Sequence, residues 1–243
     1  MSNVFYGSAE LRWFLHKQQD QWDPIMKWFR LQEQLILREE GSYGLKTVTE
    51  PYVKHEAERA DEYLIFPDCD TVGVKQRQGK LEVKALVAGP RPFSLSRVGV
   101  AGRMDQWVKW SFASQLQKQL EVEIAQAGPW RKVVKDRYLQ KYSFDSGHMV
   151  AVPPDNQPDT GCNIELTKIS VEADVWDWLT FGFEAFGPSG RVIAMLDEAV
   201  EHFFTAHGRA PVKLDGHDSL SYPTWLACFQ WFEWNSNEMM HRD

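Results

Sequence analysis

Apolar and charged residues alternate along VGVKQRQGKLEVKALV, residues 72–87, and Gln78-Gly79 interrupts the alternation at its midpoint. A two-residue hairpin loop there fixes the register, with Arg77 facing Lys80, Lys75 facing Glu82 and Gly73 facing Lys84. Opposed residues of an antiparallel pair point to the same side. Lys75, Arg77, Lys80, Glu82 and Lys84 therefore share one surface, and Val72, Val74, Leu81, Val83 and Ala85 share the other. The period of two recurs elsewhere. In Ser8–Leu15, Glu10 and Arg12 oppose Leu11, Trp13 and Leu15, and in Val133–Tyr142, Lys135, Arg137 and Lys141 lie on one parity. In CNIELTKISV, Glu165 and Thr167 oppose Ile164 and Leu166, and in LTFGFEAFG, Glu184 opposes Phe181, Phe183 and Ala185.

Helical spacing is found in three further places. Asp23 as N-cap and Pro24 at the first helical position introduce Ile25, Trp28, Phe29, Leu35 and Ile36. Ser111–Ala125 reads as helical, and Val192, Met195, Leu196, Ala199, Val200 and Phe203 form a helix face that Gly208 stops. A last helix begins near Pro223 and carries Trp225, Leu226, Phe229 and Phe232. Periodicity fails over Gly41–Asp61, apart from a short strand at Thr47–Tyr52. Ala88–Gly102, rich in Gly, Pro, Arg and Ser, reads as a long surface loop with Arg91, Arg97 and Arg103 solvated, and Pro153–Gly161 as a loop between strands. The pattern predicts an α+β fold built on antiparallel strands.

With 43 % hydrophobic residues in 243, the chain can bury a substantial core as one large domain or two small ones. A formal charge of −7 argues against a non-specific nucleic-acid binder and leaves room for a local basic cleft. Three widely spaced cysteines, Cys69, Cys162 and Cys228, suggest neither a disulfide framework nor a metal site, and fit a reducing cytoplasm. No secretory pattern opens the chain and no run of eighteen apolar residues follows, so no membrane span is expected. The eleven tryptophans read as core anchors. No dinucleotide fingerprint, P-loop or nucleophile elbow occurs. His202 and His207, five apart, do not share a helix face as metal ligands would and read as surface residues, and His55-Glu56 has no third partner.

What remains is a set of strands that each carry charges on one parity. In an open sheet these would form a solvated face. If the sheet closes with that face inward, they line a tunnel in which cations outnumber carboxylates, which only water, metal or an anionic ligand can satisfy.

The order of these pieces resembles the CYTH, or triphosphate tunnel, superfamily. AELRWFL resembles its opening acidic strand, ADEYL its tyrosine-containing strand, and TVGVKQRQGKLEVK its basic-x-basic strand and the next, ending in lysine. VVKDRYLQKY resembles its Lys-x-Arg strand, and NIELTKI and FGFEAFG its last two acidic strands. The resemblance implies a closed antiparallel β-barrel of about eight strands over residues 1–190, with helices of 191–243 packed on it. It also implies a triphosphate- or polyphosphate-like ligand held by Lys75, Arg77, Lys84, Lys135, Arg137 and Lys141. Mg²⁺ or Mn²⁺ would sit on Glu10, Glu82, Glu165 and Glu184, with Glu10 and Arg12 in catalytic positions.

Two departures bear on mechanism. The family opens with Glu-x-Glu-x-Lys, where this chain has Ser8-Ala9-Glu10-Leu11-Arg12, and it often ends with Glu-x-Glu, where this chain has Gly182-Phe183-Glu184. Two carboxylates that could hold metal against phosphate are absent, and arginine cannot act as a base. Phosphoanion binding is therefore expected ahead of metal-dependent hydrolysis. The alternative is a non-catalytic binding or interaction module whose Tyr222–Trp234 region docks an unidentified partner, although apolar helices usually bury their faces in their own domain.

Overall fold

In the computed structural model, the residues described are 6–16, 22–30, 53–66, 69–112, 129–171 and 178–228. Nine strands form one antiparallel sheet. They are β1 (Tyr6–His16), β2 (Lys54–Leu64), β3 (Val72–Arg77), β4 (Lys80–Leu95), β5 (Val100–Phe112), β6 (Trp130–Ser143), β7 (Val150–Val152), β8 (Gly161–Val171) and β9 (Trp178–Pro188). Their order is β2-β3-β4-β5-β1-β9-β8-β6-β7, and β2 also pairs with β6, so eight strands close into a ring. The short β7 takes over the edge of β6 at Lys141–Ser143, beyond the last β2 pairing at Leu139.

The β3-β4 hairpin has the predicted register, with Arg77 opposite Lys80, Lys75 opposite Glu82 and Gly73 opposite Lys84. Gln78 and Gly79 both take positive φ, 49° and 73°, as a two-residue turn matched to strand twist requires. The apolar parity of the strands faces out of the ring. Leu11, Trp13, Phe181, Phe183, Ile164 and Leu166 pack against two helices, α1 (Trp22–Phe29) and α2 (Val192–His207), in one continuous core. The main hydrophobic core thus lies between the ring's outer wall and the helices. The charged parity is left to the interior.

One end of that interior is apolar. Phe14, Tyr63, Val133 and Ile169 share the parity of the charged residues on their strands, and they cluster with Tyr222, Trp225 and Leu226. These last three come from α3, the helix whose described part is 222–228. Ser221 caps it, its Oγ accepting the Thr224 N–H at 3.2 Å. The preceding segment is tied to the ring by Phe14 N–H to Asp218 O (2.8 Å), Leu220 N–H to Arg12 O (3.1 Å) and Arg103 N–H to Ser219 Oγ (2.8 Å). α3 is a stopper seated in the end of the ring.

Several expectations are corrected. Ala88–Gly102 is not a surface loop, because β4 runs to Leu95 and β5 starts at Val100. Its prolines are tolerated because β3 pairs with β4 only as far as Ala85, leaving the later residues on an edge with bulges near Ala88. Residues 54–64, where the sequence pattern breaks down, are strand β2, and a register shift between Glu56 and Arg59 accounts for the broken alternation. α1 starts at Trp22, which places Asp23 in the first turn. His207 is buried, its ring stacked on Phe203 at 3.8 Å, and burial lowers its pKa to about 4. Ser111 and Phe112 belong to β5, while the rest of the expected helix to Ala125 lies outside the described residues, as do Leu35, Ile36, Thr47–Tyr52, Phe229, Phe232 and Trp234. The three cysteines are free. Among the described residues, no helix is long and apolar enough to cross a membrane.

Trp225 anchors the stopper: it is 2 % exposed, stacks on Phe14 at 4.6 Å and meets Trp178 edge-on at 5.6 Å. Trp225→Ala is expected to lower stability by about 3–5 kcal/mol, read from urea unfolding, as aromatic truncation in a closed core does. A loss under about 1 kcal/mol would mean that α3 does not seal the ring.

Candidate functional site

A cavity of about 580 Å³ occupies the charged part of the ring interior. Every strand from β1 to β9 except β5 and β7 contributes two or more lining residues, and Lys109 represents β5. Nine lysine and arginine side chains line it against seven carboxylates, so its balance is positive by a narrow margin. How those charges pair decides what the cavity can hold.

Asp61 is the centre of one cluster. It is fully buried, and its two oxygens accept from Arg77 Nε (3.0 Å) and Nη2 (3.1 Å). Lys135 Nζ lies 3.3 Å away, Arg59 Nε 3.7 Å and Lys75 Nζ 4.0 Å. Burial alone would raise the Asp61 pKa, but Lys135, Lys75 and Arg77 outweigh it and hold the carboxyl well below its ordinary value. Lys135 Nζ also donates to Tyr63 Oη at 2.6 Å and sits 3.9 Å from the centre of the Tyr222 ring. Burial pushes its pKa well down, against the pull of Asp61. Lys75 is lowered to about 8 by burial and by Arg77.

A second cluster surrounds Glu165. Arg12 Nη2 reaches it at 3.1 Å and Arg137 Nη1 at 2.5 Å, while Arg137 also holds Glu56. Arg12 lies over Gly182, where an added Cβ would come within 3.1 Å of the guanidinium carbon. Burial raises the Glu165 pKa less than Arg137 and Arg12 lower it. Lys84 Nζ bridges both oxygens of Glu10 (3.2 and 3.1 Å) and packs 4.1 Å from the Trp107 ring centre. Glu82 takes Lys75 at 3.0 Å and Lys109 at 3.2 Å; burial raises its pKa, and these cations bring it down to about 2. Lys141 donates to Asn156 O at 2.6 Å, drawing the 153–159 loop over the cavity.

All eleven sequence-derived site residues, Glu10, Arg12, Lys75, Arg77, Glu82, Lys84, Lys135, Arg137, Lys141, Glu165 and Glu184, therefore line one cavity. Arg91 and Arg97 instead pair with Asp197 and Glu201 on α2. Sequence reading missed Asp61, Arg59, Glu56 and Tyr222. Asp61 and Arg59 share the parity of Tyr63, which was the available signal; the register shift before Arg59 hid Glu56, and nothing local marks Tyr222 as an interior residue.

Three of the four carboxylates assigned to Mg²⁺ or Mn²⁺ are engaged by lysine or arginine. Glu10, Glu82 and Glu165 are each ion-paired, and Glu184 is opposite Glu10 across β1-β9. Among the described residues, no group of three or more His, Cys, Asp or Glu side chains is gathered closely enough to hold a metal ion.

No family model and no curated protein matches the chain. Among solved structures, one match is a provisionally assigned adenylate cyclase from Bacillus halodurans, with 9 % identity and a TM-score of 0.34, covering 85 % of this chain and 94 % of that one. A likeness that distant carries nothing about ligand or reaction.

Asp61→Asn tests the first cluster. Removing one partner of a buried ion pair costs about 3–5 kcal/mol at neutral pH. Lys75, whose folded pKa is depressed to about 8 from 10.5, is charged at a cost below pH 8 and sheds that cost as pH rises toward 10.5, where the unfolded chain binds more protons. The deficit of the variant relative to the parent protein should therefore shrink between pH 7 and pH 10 in denaturant titrations. A deficit independent of pH would show that Asp61 does not neutralise the lysines.

Proposed function

We propose that the protein binds a phosphorylated, multiply charged anion inside the ring. The supporting observation is the cavity itself, which gathers nine cationic side chains from six strands, with two of the lysines held below their ordinary pKa by burial and by neighbouring cations. Its volume falls within the range of small-ligand sites. An anion entering it relieves the repulsion among Lys75, Arg77, Arg59 and Lys135, and forms charge-assisted hydrogen bonds that neutral ligands cannot offer. The resemblance of the strand series to triphosphate tunnel proteins points to triphosphate or polyphosphate as the ligand class.

Binding is favoured over hydrolysis. Metal-assisted phosphoryl transfer needs carboxylates directed at a cation on the phosphate oxygens. Here Glu10, Glu82 and Glu165 are directed at lysine and arginine, and Arg12 takes the space above Gly182. The same residues suit a binding module whose specificity comes from shape and charge.

Lys75→Met tests the reading. It leaves Glu82 with Lys109 and Asp61 with Arg77 and Lys135, so stability at pH 7 should be unchanged or higher. Calorimetric affinity for inorganic triphosphate should fall by about 1.5–3 kcal/mol, the range for a charged hydrogen bond. In the parent protein, affinity should decline as pH rises past about 8 and Lys75 discharges; the variant should lose that decline. Equal affinity in both proteins would place the ligand elsewhere. Phosphate release from triphosphate with Mg²⁺ or Mn²⁺ at ordinary enzymatic rates would overturn the preference for binding.

A further inference from the structure

We infer that the cavity is blind, and that it takes its ligand end-on, with a terminal phosphoryl group against a floor formed by Tyr222. This rests on the phosphoanion reading above and specifies which part of such a ligand is recognised.

The floor comes from outside the ring. Tyr222 is 8 % exposed, lies flat against Tyr63 (5.5 Å between centroids, 9° between planes) and meets Phe14 edge-on at 5.1 Å. Trp225 and Leu226 fill the ring beneath it. Pro223 lines the cavity and leaves no room beside Gly73, where an added Cβ would lie 3.0 Å from its ring. A chain of phosphates cannot pass through this end without expelling α3. At the other end the lining includes Tyr6 and Asp155, which are 58 % and 80 % exposed, so the cavity meets solvent there.

Charge is concentrated at the floor. The Arg12 guanidinium lies 5.2 Å and the Lys135 ammonium 3.9 Å from the Tyr222 ring centre. Two buried polar atoms of lining residues have no protein partner there: Thr167 Oγ1, on a residue 1 % exposed, and Arg12 Nε, on a residue 5 % exposed. Buried donors left without partners are costly, and both belong to residues that face the cavity. A terminal phosphoryl group matches them better than an internal one. It has three non-bridging oxygens, and its second ionisation, near pH 6, gives it about twice the charge of an internal phosphate at pH 7. Tyr222 is thus a specificity-determining residue: its ring stops the chain where the unpartnered donors can meet the extra oxygen.

Three inorganic probes separate the possibilities in isothermal titration calorimetry with the full chain: linear triphosphate, cyclic trimetaphosphate, which has no terminal group, and long-chain linear polyphosphate. Linear triphosphate should bind at least about tenfold more tightly than the cyclic form, a difference of about 1.4 kcal/mol. Long chains should saturate at two proteins per chain, one for each end. Tyr222→Phe keeps the floor and should keep the preference, and Tyr222→Ala should reduce it toward unity by weakening the linear ligand alone. Loading of many proteins along one chain, or equal affinity for linear and cyclic forms, would overturn the inference while leaving the phosphoanion reading standing. A Tyr222→Phe variant with native melting temperature and no preference would also overturn it. Failure of all three probes to bind would remove both.

Discussion

The structure depends on mutual neutralisation of charges inside a closed ring. Most small closed sheets fill their interiors with apolar side chains, and this one turns its apolar parity outward, to a core shared with α1 and α2. The interior must then hold buried carboxylates and cations, each of which loses several kcal/mol of hydration. No single pair could compensate for that loss. What makes it tolerable is that the acids are shared: Asp61 among Arg77, Lys135, Arg59 and Lys75, and Glu165 between Arg12 and Arg137. One fully buried carboxylate on β2 thereby fixes cations carried by β2, β3 and β6, and the shape of the cavity follows from it.

The interior changes character along its length, and the change coincides with two tyrosines. On β1 the inward residues run Glu10, Arg12, Phe14, on β8 Glu165, Thr167, Ile169, and on β6 Arg137, Lys135, Val133; on each strand, polar gives way to apolar at the same end. Tyr63 and Tyr222 stand at the boundary, with hydrophobic ring bodies toward α3 and with Lys135 and Arg12 on their polar side. Burial raises the Tyr222 pKa to about 12, partly offset by Arg12. It therefore stays a neutral phenol throughout the physiological range, and the floor adds no negative charge to the site.

Much of this was legible because alternation survives wherever one face of a strand is buried and the other is polar. The parity of Glu10 and Arg12, the register around Gln78-Gly79 and the opposition of Glu184 to Phe181 and Phe183 are all as the residues alone require. What the pattern did not carry is equally specific. The register shift between Glu56 and Arg59 moves charge from one parity to the other, so β2 reads as irregular. Pro90 and Pro92 look like loop residues because sequence does not reveal which edge of β4 lacks a partner. Whether the charged face meets water or a cavity is decided by the β2-β6 pairing, a contact between strands separated by about a third of the chain. Tyr222 reaches the site through the hydrogen bonds that tie residues 218–220 to β1 and β5, far from it in sequence.

Two of the departures from the triphosphate tunnel pattern, the arginine at 12 and the glycine at 182, are a single structural fact. Arg12 and Gly182 are directly opposed across β1-β9, and the guanidinium lies where a side chain at 182 would begin. The larger cation needs the missing side chain, and in using that space it reaches Glu165, which Arg137 also holds. Replacing Gly182 alone with a carboxylate would force the guanidinium aside and leave Glu165 with one partner fewer. Replacing Arg12 alone with lysine would open a gap above Gly182 and remove the planar fork that spans Glu165 and Thr180. The two positions are thus coupled through Glu165, and the arrangement they support holds negative charge with arginine, where a metal site would hold a cation with carboxylate. That is the physical basis for reading the cavity as an anion receptor first.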